Sequence, residues 1–498
     1  MGVIFRQSIQ NTIISYIGVA LGFVVTIWMY PNILTPEQYG LTRVLLSLAM
    51  VSTQLGSLGI KNTIIRFFPF FRDKEENHHG FLFLSLIVPL IGFLLLGLGL
   101  YIFRPQITQY FVERSELLLD YYWFILPLAF SILFFHVITK FVQALYDTVL
   151  SSFLMDVVVR VLTALLLIIY FMGWLTFNQF VILFVLNYGI VLFILFVYML
   201  WTSNVSLIPD FYFLNRSLIQ KMMNYSLFSF FGGIASIIVS NIDIIMLSSL
   251  AGLDDTGIYA IAFYIGSAIT ITRQSIYKIS SPVIADAFKE HNFDLIEQIY
   301  KRSSLNQVLA GGLLFCGVIA SLYNLMDILP KEYSGGAMVI IIIGMANMFD
   351  MVTGINGAII LNSKHYRFDF YSTVLLIIIT VILNYLLIPI YGIVGAAIGT
   401  ASAIIIYNTL KLFYVWLRFS MQPFQWKMLL IVFIGILSLT VAYLIPHPAN
   451  NYLDILLRSV VVTITYVLPL WAMNISDELN QLIQSILNQA KALLSQKN

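Results

Sequence analysis

The chain is a succession of long apolar runs separated by short polar breaks, and fourteen such runs can be counted. Each run is about 18–25 residues long, the length of a membrane-spanning helix and about twice that of a membrane β-strand. We expect the first run to be a span and not a cleaved signal, because no small-residue cleavage site follows it. The pattern therefore predicts an all-α polytopic membrane protein with about fourteen transmembrane helices. The predicted spans are residues 11–33, 41–60, 81–103, 121–143, 151–174, 179–201, 224–250, 257–280, 304–324, 336–361, 368–389, 392–416, 427–445 and 453–474.

Composition supports this interpretation, since 60% of the residues are hydrophobic and 10% are charged. The mean hydropathy is +0.92. A soluble chain of 498 residues could not bury that much apolar surface. In lipid, backbone groups must be satisfied within the protein, which favours helices. The predicted outer loops are short, so no extramembrane domain is expected.

The basic residues give the orientation of the spans. The predicted outer segments hold five of the 26 Lys and Arg residues, and 20 lie on the other side. Because Lys and Arg accumulate on the cytoplasmic side of membrane proteins, we expect the N-terminus and the C-terminus to be cytoplasmic.

The two halves of the chain resemble each other at an offset of about 217 residues. Leu34-Thr-Pro-Glu-Gln-Tyr-Gly40 follows the first span, and a related segment ending at Gly257 follows the seventh. Six spans separate the copies, an even number, so the copies are parallel repeats, and such repeats usually enclose a substrate path. The predicted divisions are an N-terminal lobe of spans 1–6 (residues 1–215), a C-terminal lobe of spans 7–12 (216–420), spans 13–14 (421–475) and a cytoplasmic amphipathic helix (476–498).

The amphipathic segment carries apolar residues at helical spacing, including Leu479, Leu482, Ile483, Ile486 and Leu487. Such a helix is expected to lie in the headgroup plane, and binding of a partner is the alternative.

Four motifs, taken in order, carry a resemblance to a known family. They are Leu34-Thr-Pro-Glu-Gln-Tyr-Gly40, Leu58-Gly-Ile-Lys-Asn-Thr-Ile-Ile-Arg66-Phe-Phe-Pro69, Asn241-Ile-Asp243-Ile-Ile-Met-Leu247 and Gly257-Ile-Tyr259. With the span count, they resemble the bacterial polysaccharide (O-antigen, Wzx-type) flippases of the MATE-like multidrug/oligosaccharidyl-lipid/polysaccharide (MOP) exporter superfamily. That family often places a basic residue directly after the span 7 aspartate, and here Ile244 follows.

The resemblance implies a flippase of lipopolysaccharide synthesis in the bacterial cytoplasmic (inner) membrane. Its substrate would be an oligosaccharide linked to polyprenyl diphosphate, moved from the cytoplasmic to the outer leaflet by alternating access. The chain contains no P-loop, so an ion gradient (H+ or Na+), the membrane potential or the substrate gradient would supply the energy. The implied partners are the lipid-linked oligosaccharide, membrane lipids and polysaccharide assembly proteins. A monomer is expected, with no nucleic acid, cofactor, metal or enzymatic activity.

Cationic residues at the inner ends of spans 2 and 8 are the candidate diphosphate-binding groups. They are Lys61, Arg66, Arg273 and Lys278, and Lys61 and Lys278 are 217 residues apart. Arg engages phosphate in a bidentate manner. The alternative role is anchoring at the inner membrane surface. Arg43, at the outer end of span 2, is a further candidate or an interface anchor.

Charged residues inside the spans are costly unless they are paired or hydrated. Asp156 and Arg160 are four residues apart on one helix face, which predicts an intrahelical pair or a cavity-facing arginine oriented by the aspartate. Asp243 and Asp350 have no partner in their own helices and are candidate ion-coupling sites. The alternative is that neighbouring helices hydrogen-bond these two carboxylates.

Two other functions are compatible with the chain. A MATE-type cation or drug antiporter would have the same fold but would favour acidic cavity walls. A membrane-embedded polysaccharide polymerase or ligase would need catalytic side chains on a sizeable outer loop, and the predicted outer loops are short.

Overall fold

The computed structural model describes residues 2–73, 75–202, 215–446 and 450–495, together with the single positions 208, 210, 213 and 448. The described residues form α-helices and short π- and 3-10-helical segments, and they contain no β-strand. The all-α class is therefore confirmed. The chain divides into two compact units, one of Met1–Ile261 with Ile388–Ile393 and the other of Ala262–Leu387 with Val394–Asn498.

Among the described residues, the first unit contains twelve α-helices and the start of a thirteenth. These are α1 (Gly2–Phe23), α2 (Tyr30–Ile33), α3 (Pro36–Gly56), α4 (Ile60–Phe71), α5 (Phe81–Ile102), α6 (Arg104–Gln109), α7 (Glu116–Asp120), α8 (Ile125–Ala144), α9 (Val149–Phe153), α10 (Val159–Phe171), α11 (Phe177–Thr202), α12 (Arg216–Leu250) and α13 (Leu253–Ser267). π-Helical segments cover Val24–Met29 and Leu154–Val158, and 3-10 segments cover Asn77–Gly80 and Tyr122–Phe124. Helix α3 packs against α5, α8 and α12, and α8 also packs against α4 and α11.

The second unit is built around α15, which packs against α14, α17, α20 and α21. Its helices are α14 (Thr270–Lys289), α15 (Phe293–Ala320), α16 (Leu322–Ile328), α17 (Ala337–Thr353), α18 (Asn356–Asn362), α19 (Tyr366–Phe419), α20 (Trp426–Tyr443), α21 (Asn451–Ala472) and α22 (Asp477–Ser495), with a 3-10 segment at Lys331–Gly336. Its core joins buried residues of α15, α20 and α21, among them Val308, Ile431 and Tyr466.

The outer faces of these helices are apolar. Large hydrophobic side chains such as Trp201, Leu417 and Leu444 are exposed. Eleven described helices are long and apolar enough to cross a membrane, and twelve are if the bent pair α3–α4 counts as one span. Apolar surface on this scale marks contact with lipid, so the protein is a multi-pass membrane protein.

The motif Leu34-Thr-Pro-Glu-Gln-Tyr-Gly40 is the start of α3. Thr35 and Gln38 form a capping box, in which Gln38 N donates to Thr35 Oγ1 at 3.2 Å and Thr35 N donates to Gln38 Oε1 at 3.3 Å. Pro36 occupies the first turn, where its missing N–H costs nothing. These residues satisfy the free backbone groups of a helix start, which explains the order of residue types in the motif.

Helix α19 is continuous in hydrogen bonding but folds back on itself. Gly392 has non-helical angles (φ 54°, ψ −130°). Residues on either side of it meet, since Lys411 Nζ lies 2.5 Å from Asp369 Oδ1 and the rings of Phe368 and Tyr414 stack at 3.7 Å. The element is therefore an antiparallel pair of helices, as the predicted spans 368–389 and 392–416 require.

The predicted span 257–280 corresponds to parts of α13 and α14, separated at residues 268–269. Neither helix by itself is both long and apolar enough to count as a span, so the number fourteen stays a prediction. The lobes 1–215 and 216–420 also stay a prediction. The compact units divide the chain differently, because α12 belongs to the first unit.

Helix α22 forms where the apolar spacing predicts a helix. Leu479 is buried in the core of the second unit, and Ile483 packs against the same core. Leu482 is exposed. The side chains of Ile486, Leu487 and all residues from Ala490 onwards lie outside the described residues.

Candidate functional site

Helix α4 carries two of the predicted cationic residues. Lys61 is half-buried and donates from Nζ to Gln54 Oε1 at 2.7 Å. Arg66 is exposed, and its guanidinium lies over the ring of Tyr225 of α12, 4.4 Å from the centroid. Among the described residues, no carboxylate forms an ion pair with either side chain.

The break before α4 positions these cations. Gly59 adopts a left-handed conformation (φ 78°), and a Cβ there would overlap the backbone oxygen of Ser226. Helices α3 and α4 are therefore bent by 43°. Thr63 and Ser226 are joined by a hydroxyl hydrogen bond of 2.6 Å, and Asn62 Nδ2 donates to Ser229 Oγ at 2.9 Å. This polar seam holds one side of α4 against α12.

Arg43 lies on α3 and is half-buried. Its Nε is buried and has no hydrogen-bond partner among the described residues. The buried phenols Tyr30 and Tyr188 lie within range of its charge. These surroundings differ from those of a membrane-surface anchor, which would extend into the headgroups.

The predicted pair of Asp156 and Arg160 does not form in the described part of the chain. Arg160 instead donates from Nη1 to the backbone oxygen of Gly18 in α1. Asp156 lies within the π-helical turn Leu154–Val158. The wider turn shifts the i,i+4 alignment of a regular helix, which explains why the intrahelical pair is absent. The alternative of a cavity-facing Arg160 stays a prediction.

Arg273 and Asp350, predicted for different roles, form an ion pair between α14 and α17 in the second unit. The arginine side chain is 39% exposed and the aspartate side chain 12%. The partner of Asp350 therefore comes from a neighbouring helix and not from its own. Lys278, on the same helix as Arg273, is exposed.

Asp243 is buried in α12 and accepts a hydrogen bond of 2.9 Å from the hydroxyl of Tyr259. Tyr259 is itself buried in α13. The two residues belong to the motifs that carry the family resemblance, and their contact gives those motifs a shared structural role.

Two ion pairs with a buried cation were not predicted from the sequence. Lys411 is buried and donates to Asp369 at 2.5 Å and to the hydroxyl of Tyr407. Lys411 and Asp369 are at similar distances from Gly392, so recognising the hairpin would have indicated the pair. Arg458 and Asp454 form a fully buried i,i+4 pair on α21 at 2.8 Å, a spacing that is visible in the sequence.

The first unit also has an apolar groove of about 620 Å3. Leu55, Leu100, Phe103, Ile107 and Ile245 are among its lining residues. None of the predicted cations lines this groove, so it is separate from the charged candidates.

The family model of the polysaccharide biosynthesis proteins matches residues 4–288. The chain belongs to the polysaccharide biosynthesis protein family. The match includes the candidate residues from Arg43 to Lys278, whereas Asp350 and Lys411 lie beyond it.

The chain is similar to one curated relative, the probable low-salt glycan biosynthesis flippase Agl15 of Haloferax volcanii. It is 22% identical over 212 residues, which are 42% of this chain and 45% of the relative. The alignment thus spans less than half the length of that protein.

Two groups of solved structures have the same fold. The lipid II flippase MurJ, in an inward closed conformation, superposes with a TM-score of 0.72 at 13% identity, covering 94% of this chain and 99% of MurJ. A multidrug resistance MATE family transporter of the MOP superfamily, in an inward-facing conformation, gives 0.61 at 17% identity, covering 82% and 98%. The MATE-like fold is therefore confirmed for this member of the polysaccharide biosynthesis family.

Proposed function

We propose that the protein is a flippase that moves a polyprenyl-diphosphate-linked oligosaccharide from the cytoplasmic to the outer leaflet by alternating access. Membership of the polysaccharide biosynthesis protein family carries this proposal. The curated relative named as a glycan biosynthesis flippase supports it. The membrane would be the bacterial inner membrane, both termini would be cytoplasmic, and the glycan would be of the O-antigen type.

The charges in the first unit suit an anionic substrate. Lys61 and Arg66 have no carboxylate partner among the described residues, although each lies on a mostly apolar helix. A diphosphate would supply charge-assisted hydrogen bonds to such groups. Arg43, with its unpartnered buried Nε, would contribute in the same way in another state of the transport cycle.

In the second unit, Arg273 is accessible to a substrate, since more than a third of its side chain is exposed. Lys278, five residues further along α14, would add a second charge. Asp350 neutralises Arg273 in the structure, so binding a diphosphate there would require Arg273 to exchange its carboxylate partner for phosphate oxygens.

Coupling to H+, Na+ or the membrane potential would involve a buried carboxylate. Asp243 is one candidate, because it is buried in α12 and accepts a hydrogen bond from Tyr259. Asp350 is the other candidate, and it is paired with Arg273.

A cation or drug antiporter is the second candidate, favoured by the likeness to a multidrug MATE transporter. A cationic drug needs accessible carboxylates. Here Asp350, Asp369 and Asp454 are each paired with a basic side chain, which favours an anionic substrate. We propose transport and not catalysis, in contrast to the polymerase or ligase alternative.

The test is a flipping assay in proteoliposomes. A fluorescent polyprenyl diphosphate oligosaccharide on the outer leaflet is bleached by an impermeant reductant, and a flippase makes the inner pool accessible as well. We expect complete bleaching with the wild-type protein and protection of the inner pool with a Lys61→Ala/Arg66→Ala double variant. If the inner pool of fluorescent lipid stays protected in proteoliposomes with the wild-type protein, and these proteoliposomes export a cationic dye, the protein is an antiporter.

A further inference from the structure

Three basic side chains lie together within the first unit. Helices α3–α4 and α8 are packed in a register set by two contacts: a Cβ at Gly56 would lie 3.3 Å from the Leu133 side chain, and the rings of Phe68 and Phe141 are 5.4 Å apart. On α4, Lys61 lies between the two contact points Gly56 and Phe68. On α8, His136 and Lys140 lie between the matching contact points Leu133 and Phe141.

His136 and Lys140 are four residues apart, so they share one face of α8. Lys61 and Lys140 lie within electrostatic range of each other, and His136 lies within range of both lysines. All three side chains are half-buried and none is fully enclosed. We call Lys61, His136 and Lys140 the basic cluster.

The basic cluster lacks a counter-charge. Its lysines donate to neutral amides, Lys61 to Gln54 at 2.7 Å and Lys140 to Gln143 at 3.1 Å. No carboxylate forms an ion pair with the cluster anywhere in the described ranges, and the ring nitrogens of His136 have no hydrogen-bond partner there.

Three cations of the second unit, by contrast, have a counter-charge. Arg273, Lys411 and Arg458 each form an ion pair with an aspartate. Like charges in a low-dielectric interior repel each other strongly, and intramembrane cations are normally paired or hydrated. Two lysines with only amide neighbours are therefore an arrangement that an anion would complete.

We propose that the basic cluster is a phosphate-binding pocket that takes the diphosphate of the lipid-linked substrate. This inference rests on the proposed function and adds Lys140 and His136 to the residues that contact the substrate. The two ammonium groups neutralise a phosphate as point charges. The imidazole donates a hydrogen bond to a phosphate oxygen, and Gln54 and Gln143 accept from the lysines and hold them in place.

The experiment measures binding to the purified full-length protein in detergent. The probes are farnesyl diphosphate, inorganic pyrophosphate and phosphatidylglycerol, which separate a lipid diphosphate, a free diphosphate and a general anionic headgroup. The variants are Lys140→Gln, Lys61→Gln and Lys140→Arg. Lys221→Gln is the matched control, because Lys221 is exposed at the start of α12 and lies outside the basic cluster.

We expect Lys140→Gln and Lys61→Gln each to weaken farnesyl diphosphate binding by about tenfold or more, as for loss of a charge-assisted hydrogen bond. Lys140→Arg should retain affinity within about threefold, and Lys221→Gln should bind as the wild type does. Thermal unfolding of each variant reports whether it is folded. If one glutamine variant does not fold, the other tests the same pocket from the opposite helix.

Several results would overturn the inference. If the wild-type protein binds farnesyl diphosphate and both glutamine variants bind equally well, the pocket is wrong and the proposed function stands. If phosphatidylglycerol competes as well as pyrophosphate, the cluster is a headgroup site and not a substrate site. If pyrophosphate binds through Lys140 but farnesyl diphosphate does not, the pocket stands and the lipid substrate is wrong. If the wild-type protein binds neither diphosphate, both proposals fail.

Discussion

Gly40 and Gly257 occupy equivalent positions of the sequence repeat and lie against each other where α3 and α13 cross. A Cβ at Gly40 would overlap the backbone oxygen of Leu253, and a Cβ at Gly257 would overlap that of Pro36. Each glycine thus meets the carbonyl four residues before the other. The contact between the two motifs is therefore reciprocal, and the parallel repeat itself stays a prediction.

The crossing predicts that both glycines are required for stability. Gly40→Leu and Gly257→Leu should each lower the free energy of unfolding by about 1–3 kcal/mol or more, because the backbones must separate to admit a side chain. The measurement is the thermal unfolding midpoint in detergent. Gly99→Leu is the matched control, since nothing lies within 4 Å of a Cβ at Gly99. Equal destabilisation by all three changes would refute the close crossing.

The helical class and the positions of most spans follow from apolar run length, because lipid requires about 20 apolar residues per helix. The predicted span 257–280 is the exception, since it is divided between α13 and α14. The hairpin at Gly392 was also placed correctly, as two spans. Partners between helices were harder to predict. Asp350 has no partner in its own helix, and Arg273 is 77 residues away, so only the packing of α14 on α17 brings them together.

The failure at Asp156 and Arg160 has a different cause. The i,i+4 rule assumes a regular α-helix, and the π-helical turn at Leu154–Val158 breaks that assumption. The sequence alone did not indicate Lys140 and His136 as site residues. Their nearness to Lys61 depends on the packing of α4 on α8, which the pattern of a single helix does not reveal.

The predicted orientation can be tested by labelling. Single cysteines at Asn32, Thr176 and Asn450 should react with an impermeant thiol reagent from outside the cell, whereas cysteines at Asn77 and Ser363 should not. The native Cys316 is buried, which limits background labelling. A reversed pattern would place both termini outside, and a mixed pattern would contradict the fourteen-span prediction.

Glu478 should stabilise the packing of α22 on the second unit, and the size of this stabilisation should depend on pH. Burial raises the pKa of Glu478, but hydrogen bonds from Asn306, Ser476 and Arg302 outweigh it and leave the pKa below its ordinary value of 4.5. A carboxyl whose pKa is lower in the folded state stabilises the fold at pH values above its unfolded-state pKa. This stabilisation is lost as the pH falls through the folded-state pKa.

At neutral pH, Glu478→Gln should therefore increase proteolysis of α22, by an amount that matches about 0.2–1 kcal/mol for an exposed ion pair. The difference between variant and wild type should disappear in acid. Glu290→Gln, an exposed control on the surface after α14, should have no effect at either pH. A pH-independent difference would assign the effect of Glu478→Gln to packing.

Asp243 is the residue on which we expect gradient coupling to depend. Asp243→Asn should abolish the acceleration of flipping by an ion gradient and leave substrate binding intact, because an amide still accepts the hydrogen bond from Tyr259 but cannot take up a cation charge. Tyr259→Phe removes the same hydrogen bond and keeps the carboxylate, so it should retain the response to the gradient. Gradient-driven flipping by Asp243→Asn would assign this carboxylate to structure.

The pair of Arg273 and Asp350 separates the two candidate functions most directly. Arg273→Ala and Arg66→Ala should each weaken binding of a diphosphate-linked lipid by about 1.5–3 kcal/mol if the contact is desolvated. Arg273→Lys should restore binding only in part, because the bidentate geometry is lost. Isothermal titration of the purified variants gives these values.

For Asp350→Asn we expect the opposite effect on diphosphate binding. In the structure Asp350 pairs with the Arg273 guanidinium that the diphosphate would bind. Removing the charge of Asp350 should therefore strengthen diphosphate binding by a flippase. In a drug antiporter, the same change should weaken cation binding. Cells carrying each variant, scored for surface glycan and for drug resistance, provide the independent readout. Loss of drug resistance with an intact glycan would contradict the flippase proposal. Weaker diphosphate binding by Asp350→Asn would show instead that the aspartate orients Arg273 for the substrate and does not compete with it.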